Sequence, residues 1–326
     1  MLVDTIIVDC LKLEMDNNHM AKIVFMGTPD FAVPTLRALI KHHDVVGIVT
    51  QPDRPAGRKA GDVPPPIKVV ALESGIPVLQ PEKINKAEHI ETLISWDADL
   101  HVVAAFGQIL PQKVLDIAPH GALNVHASLL PRWRGAAPIH AAIREGDSET
   151  GVTIMQIDAG LDSGPMLSRG VVPIAMDETG QSLHDKLAEL GATLLINTID
   201  GYLSGAIEPK TQPEEGVTYA AQIQKEDGRI DWNQDAFVIE RMVRAFNPWP
   251  GTFTTWNGKL LKIHAGEAWA GPGEPGRVCL HHERVAIGTS FGLYLPTKVQ
   301  LAGKKVVDIA SFMRGHGDFL DSMVGE

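Results

Sequence analysis

An amide and an imidazole two positions apart, Asn124 and His126, carry the chemistry this chain most readily offers. They end a short apolar run over 122–125, and alternate residues of an extended strand project to one face, so the two side chains point together. A carboxylate, Asp162, follows in the glycine-rich run Asp158-Ala159-Gly160-Leu161-Asp162-Ser163-Gly164 and joins the pair if the chain folds back. Imidazole titrates near neutrality, so His126 can move a proton or, once charged, steady an oxyanion. A neighbouring carboxylate favours the charged form, and Asn124 supplies a donor that needs no ionisation. The trio suits attack of a neutral amine on a carbonyl, with Asp162 holding His126 protonated. No covalent nucleophile is required: Ser128 lacks the G-x-S-x-G turn that exposes a catalytic serine, and Cys279 is remote. The same residues also read as structure, since a histidine at a strand end is often a hydrogen-bonded core residue and an Asp between Gly160 and Gly164 suits a turn.

Apolar runs over 22–26, 45–50, 77–79, 100–105 and 122–125 alternate with helix-like stretches over 66–74, 86–96 and 111–117. Strands alternating with helices predict an α/β fold, a Rossmann-like and mostly parallel sheet with helices on both faces. Ligands of such sheets bind beyond the carboxyl ends of the strands, where Gly27, Thr50, Phe106 and His126 fall. Thr28 and Pro29 fit the N-cap and first position of a helix. A strand over 166–174 and a helix over 179–203, with Leu183, Leu187, Leu190 and Leu194 on one stripe, close this domain. Pro209, Pro213, Gly205 and Gly216 among polar residues read as linker chemistry. Short alternating runs over 262–264, 276–280, 285–287 and 293–300 then predict a small OB-like β-barrel. The expected organisation is an extension over 1–19, a catalytic domain over 20–206, a linker over 207–216 and a C-terminal barrel over 217–326.

A length of 326 residues exceeds what one core usually serves, and 44% hydrophobic with 21% charged residues is ordinary for a globular protein. The acidic first residues, with Asp4, Asp9, Glu14 and Asp16, do not resemble a secretory leader, and no apolar run approaches the roughly 20 residues of a membrane helix. With Cys10 and Cys279 as the only cysteines, the expectation is a cytoplasmic protein without disulfides. A net charge of -11 opposes indiscriminate binding to nucleic acid, so any polyanion must use a local patch. The adjacent pairs His42-His43 and His281-His282 lack the spacing of a helical zinc site, and no metal is expected. Gly27-Thr28-Pro29-Asp30 lacks the G-x-G-x-x-G phosphate turn, which disfavours a nicotinamide enzyme.

Several long motifs, in order, resemble the methionyl-tRNA formyltransferase family. They are the opening from Lys22 to Ala32, the loop Thr50-Gln51-Pro52-Asp53-Arg54-Pro55-Ala56-Gly57-Arg58, Ala104-Ala105-Phe106-Gly107-Gln108-Ile109-Leu110-Pro111, the segment 124–135, the Asp162 run, and Ala245-Phe246-Asn247-Pro248-Trp249-Pro250-Gly251. The resemblance implies transfer of a formyl group from 10-formyltetrahydrofolate to the methionine of initiator Met-tRNA, with Asn124, His126 and Asp162 catalytic. It places the folate against Ser128, Leu129, Leu130 and Pro131 and against Phe106, Gly107, Gln108, Ile109 and Leu110; by residue type alone the apolar members read equally as core. Phe106 stands where relatives often carry Tyr, leaving ring stacking without the hydroxyl. For tRNA the resemblance implies Arg54, Arg58 and Lys59, together with Lys298, Lys304 and Lys305, although Ala60-Gly61-Asp62 interrupts the basic run. No membrane partner is implied, and a monomer is expected. The competing readings are a sugar-nucleotide N-formyltransferase using the same donor and a non-catalytic tRNA-binding module.

Overall fold

The computed structural model describes residues 20–55 and 61–325; the extension over 1–19 and the side chains of Arg58 and Lys59 lie outside the described residues. Two compact units emerge. The first holds the chain up to Gly135, Glu149–Pro173 and His184–Tyr219; the second holds Ala136–Ser148, Ile174–Leu183 and the chain from Ala220.

In the first unit, β1 (Lys22–Gly27), β2 (Asp44–Val49), β3 (Val78–Leu79), β4 (Leu100–Ala104), β5 (Ala122–His126), β6 (Glu149–Gln156) and β7 (Met166–Pro173) form one seven-stranded sheet in the order β7-β6-β5-β4-β1-β2-β3. The strands β1 to β5 pair in parallel, and β6 and β7 extend one side of the sheet as two antiparallel strands. Parallel strands covered on both sides must be apolar on both faces, and β4 is buried along its whole length. One face packs against Leu93 of the helix α3 (Ala87–Ser95) and Val114 and Leu115 of α4 (Gln112–Leu115). The other receives α6 (Gly180–Leu203), whose Gly191 lies so near Val125 that an added Cβ would stand 2.7 Å from it.

The chain runs outward from β1 to β2 and β3, then returns to β4 on the other side of β1, which makes the β1/β4 boundary the switch point of the sheet. Thr28 does not cap a helix there. Its hydroxyl instead crosses the boundary to the Phe106 carbonyl at 3.0 Å, and a 3-10 turn over Asp30–Ala32 precedes α1 (Val33–His42). The segment expected as a linker, 207–216, lies within the first unit, because its polar groups bond into that unit: Lys210 exchanges two 2.8 Å backbone bonds with Met166.

The second unit is built on β8 (Thr252–Trp256), β9 (Lys259–Trp269), β10 (Val278–His281), β11 (Arg284–Gly288), β12 (Leu293–Leu301) and β13 (Val307–Asp308), an antiparallel OB-like sheet ordered β8-β9-β12-β11-β10 with β13 also on β12. Period-two burial along β8 turns Trp256 inward, edge-on to Phe312 and Phe319 at 5.7 and 5.2 Å. Two segments from earlier in the chain join this unit. One is α5 (Pro138–Glu145), whose Arg144 carbonyl accepts from Arg241 of α7 (Ala236–Ala245) at 2.9 Å.

Candidate active site

The first unit brings Asn124, His126 and Asp162 together. Asn124 and His126 leave the same face of β5 at its carboxyl end, in register with Met155 and Thr153 of β6. Asp162 arrives from the connection between β6 and β7. There the Asp158 carboxylate accepts from the Gly160 amide at 3.0 Å and from the Ser163 hydroxyl at 3.0 and 3.1 Å, closing the loop on itself. Asp162 has φ 48°, the left-handed region that Asp tolerates through its short polar side chain. Gly164 lets the loop return against β6, since a Cβ there would stand 2.0 Å from the Gln156 carbonyl.

The Asp162 carboxylate is held from three sides. The Gly135 amide donates to Oδ2 at 2.8 Å, His126 Nδ1 faces the same oxygen at 3.7 Å, and Asn124 Nδ2 approaches Oδ1 at 3.5 Å. The two longer separations leave Asn124 and Nδ1 with weak partners and room for a stronger one. His126 Nε2 lies 3.0 Å from the Trp133 carbonyl; a carbonyl cannot donate, so Nε2 carries the hydrogen. Burial is the largest influence on His126 and pushes its pKa below the ordinary value, while the Asp162 charge and the Trp133 carbonyl oppose it without prevailing. The resting imidazole is therefore neutral with its Nδ1 lone pair toward Asp162. The sequence reading has Asp162 holding His126 protonated; with the pKa lowered by burial, the neutral ring leaves Nδ1 a proton acceptor.

The loop after β5 is equally fixed. The Thr153 hydroxyl donates to the Ser128 carbonyl at 2.7 Å and accepts the Leu130 amide at 3.1 Å, and the Ser128 hydroxyl donates to the Arg132 carbonyl at 2.6 Å. Ser128 and Leu130 are thus fully buried and bonded within the protein, whereas Leu129 and Pro131 keep part of their surface. In the Phe106 loop the division is similar. Phe106 and Leu110 belong to the apolar cluster beneath the sheet, and Gln108 bonds to the Ile84 amide and Pro81 carbonyl at 2.9 and 2.8 Å. Gly107 is exposed and Ile109 is 92% exposed. The Phe106 ring therefore packs inward rather than presenting a stacking face; without a hydroxyl to solvate, burial in the apolar cluster is its favourable place. Of the nine residues expected to wall a folate, Gly107, Gln108, Ile109, Leu129 and Pro131 retain accessible surface, all but Gln108 without a side-chain polar group.

Among the cations, Arg54 is exposed and pairs with Glu82 at 2.8 Å, beside a short ladder that joins Arg54 to Val63. In the second unit Lys298 projects outward from β12, and Lys304 and Lys305 occupy the exposed turn before β13. Gln300 steadies that turn by donating to the Lys304 carbonyl at 2.8 Å. The described residues hold no cluster of His, Cys, Asp and Glu able to bind a metal, and no helix long and apolar enough to cross a membrane. Sequence reasoning missed the backbone partners Trp133 and Gly135, the Thr153 brace, and Gln212, which donates to the Asp162 and Gly164 carbonyls at 2.8 Å each. Their only sequence signal was proximity to the motifs, and Gln212 lacked even that.

The profile described as "Formyl transferase" matches residues 21–199, and that described as "Formyl transferase, C-terminal domain" matches 222–317. A methionyl-tRNA formyltransferase of Citrifermentans bemidjiense is 48% identical over 297 residues, covering 90% of this chain and 93% of its own length. That of Magnetococcus marinus is 47% identical over 307 residues, covering 94% and 98%. Among solved structures, the sugar 3N-formyl transferase WlaRD, determined with dTDP and 5-N-formyl-THF, superposes with a TM-score of 0.63 at 18% identity over 88% of this chain and all of that one. HypX of Aquifex aeolicus in complex with tetrahydrofolic acid gives 0.59 at 19% identity over 94% of this chain and 48% of the longer HypX chain.

Proposed function

Since the chain belongs to the methionyl-tRNA formyltransferase family and transfers a formyl group to Met-tRNA, we propose that 10-formyltetrahydrofolate is its donor, initiator Met-tRNA its acceptor, and Asn124, His126 and Asp162 the groups that carry the reaction. The observation that supports this most directly is the Asp162 carboxylate fixed between a neutral imidazole and an amide donor. Attack of the methionine amine on the formyl carbon forms the new C–N bond and puts negative charge on the formyl oxygen. One Asn124 amide hydrogen faces Asp162 and the other donates to that oxyanion. His126 Nδ1 takes the proton that the attacking nitrogen sheds, and Asp162 balances the resulting imidazolium. His126 then returns the proton to folate N10 as the bond from N10 to the formyl carbon breaks, leaving tetrahydrofolate and the formylated aminoacyl-tRNA.

An oxyanion donor of this kind contributes about 10² to 10³ in rate, and general acid-base help about 10² to 10⁴. Gly107, Ile109, Leu129 and Pro131 form the apolar boundary for the pterin in this reading. Arg54, Arg58 and Lys59, with Lys298, Lys304 and Lys305, grip tRNA phosphates. The protein works as a cytoplasmic monomer.

The test gives purified protein 10-formyltetrahydrofolate with either Met-tRNA or an amino-sugar nucleotide, alongside His126→Ala and Asp162→Asn. The wild type is expected to formylate Met-tRNA and not the amino-sugar nucleotide, His126→Ala and Asp162→Asn to keep only a slow residual rate, and wild-type kcat in His126→Ala overturns the catalytic assignment. Because burial holds His126 below 6.5, the acid decline of kcat/KM should follow protonation of the methionine amine, with a separate step from His126 only below 6.5.

A further inference from the structure

Gln212 is buried, at 6% exposure, and its amide is fully engaged. Nε2 donates to the Asp162 and Gly164 carbonyls at 2.8 Å each, and Oε1 accepts from Arg134 Nε and Nη2 at 3.1 and 2.7 Å. A primary amide has two donor hydrogens and two lone pairs, so none of its capacity is left for a ligand. These bonds join the two loops that compose the site. The Asp162 loop is held at one end of the amide; at the other is Arg134, between Trp133, whose carbonyl binds His126, and Gly135, whose amide binds Asp162. Two further bonds come from the same stretch of chain. Thr218 Oγ1 accepts the Trp133 amide at 2.9 Å, and its carbonyl accepts the Arg134 amide at 2.9 Å.

We propose that Gln212 is a positioning residue for formyl transfer, fixing the Asp162 carboxylate beside His126 and Asn124 by clamping the backbone on either side of Ser163. The inference rests on the roles assigned to those three residues above. The left-handed Asp162 backbone has few other restraints: Leu161 is 61% exposed, and the Asp158 turn closes only the near side of the loop. Released from Gln212, the loop can rotate the carboxylate away while the strands beneath stay folded, and misplacement of a catalytic group by about 1 Å can cost about 10²-fold in rate.

The experiment is a double-mutant cycle on steady-state formyl transfer to Met-tRNA. Gln212→Met keeps the length and removes every hydrogen bond; Gln212→Glu keeps an acceptor for Arg134 but sets an anion against two carbonyls. Both are expected to lower kcat by about tenfold or more, with KM for either substrate within about twofold of wild type. In an Asp162→Asn background the same substitutions should cost less than about twofold, because the charge they position is gone. Full activity in Gln212→Met while Asp162→Asn is strongly slowed overturns the inference alone, and so does an equal loss in both backgrounds, which marks a general structural role. Full activity in Asp162→Asn overturns the assignment of Asp162 and the inference with it. If Gln212→Met does not fold, Gln212→Glu carries the cycle with the same outcomes.

Discussion

Two loops of the first unit, one after β2 and one after β6, treat their charges in opposite ways. Asp162, with 19% of its side chain exposed, has a left-handed backbone, a carbonyl tied to Gln212 and a carboxylate bonded to Gly135. Arg54, with 63% of its side chain exposed, has one ion pair to an equally exposed Glu82. The difference follows from what each charge meets. A tetrahedral centre a few ångströms across requires donors already in place, because reorganisation during the reaction would consume the rate gain. A phosphate backbone presents many equivalent oxygens to a solvated cation, and exposed pairs of the Arg54–Glu82 kind are worth about 0 to 1 kcal/mol and yield readily to a stronger anion.

Four measurements test that contrast. The largest effect belongs to Asn124→Ala, expected to lower kcat about 10²- to 10³-fold with KM for Met-tRNA unchanged; a change confined to KM would put Asn124 with the docking residues. Next comes a check that fixed geometry is distinct from bulk stability. Burial pushes His101, inside β4, down to about 4 from 6.5, and neither ring nitrogen has a hydrogen-bond partner. The unfolded chain then binds the extra proton first, so stability is lost as pH falls from 6.5 to about 4 and levels off below. The loss is on the order of 3 kcal/mol, read as the denaturant midpoint against pH, and His101→Leu should flatten that curve. Gly164→Ala, whose Cβ would stand 2.0 Å from the Gln156 carbonyl, should cost about 1 to 3 kcal/mol of stability and displace Asp162. A variant with wild-type kcat and an unchanged midpoint would show the loop to be more yielding than its bonds imply. The smallest effect is that of Arg54→Ala: KM for Met-tRNA should rise about two- to threefold and kcat stay the same, with a shallower dependence on salt. A loss in kcat there would erase the distinction between the loops.

The elements legible in the sequence are those whose signal is local. Continuous apolar runs mark β1 and β4, and short alternating runs mark part of β9 and most of β12, whereas β8 went unread. The strand β6 escaped because Glu149, Thr150, Thr153 and Gln156 interrupt its apolar pattern, although Thr150 and Thr153 are buried. Helix α5, opening on Pro138, is short and joins a unit that begins far along the chain. At the site, Asn124 and His126 were readable from strand period and Asp162 from its motif. The direction in which the His126 pKa shifts was not, because it is set first by burial and burial is a property of the whole fold. Gln212 was hidden for a related reason: amid prolines and glycines its neighbours suggest a solvated connector, and only the closed structure gives its amide four partners.

The separations along the chain also set an order of events. Gln212 meets Asp162 across 50 residues and Arg134 across 78, and Asn124 meets Asp162 across 38. Contacts of such range form only after the intervening chain has closed, and each closure carries an entropic cost. During synthesis the imidazole and amide leave the ribosome well before the residue that locks their carboxylate. A chain synthesised only through β5 still lacks Asp162 and Gln212, so in this reading competence to modify a substrate arrives with completion of the first unit.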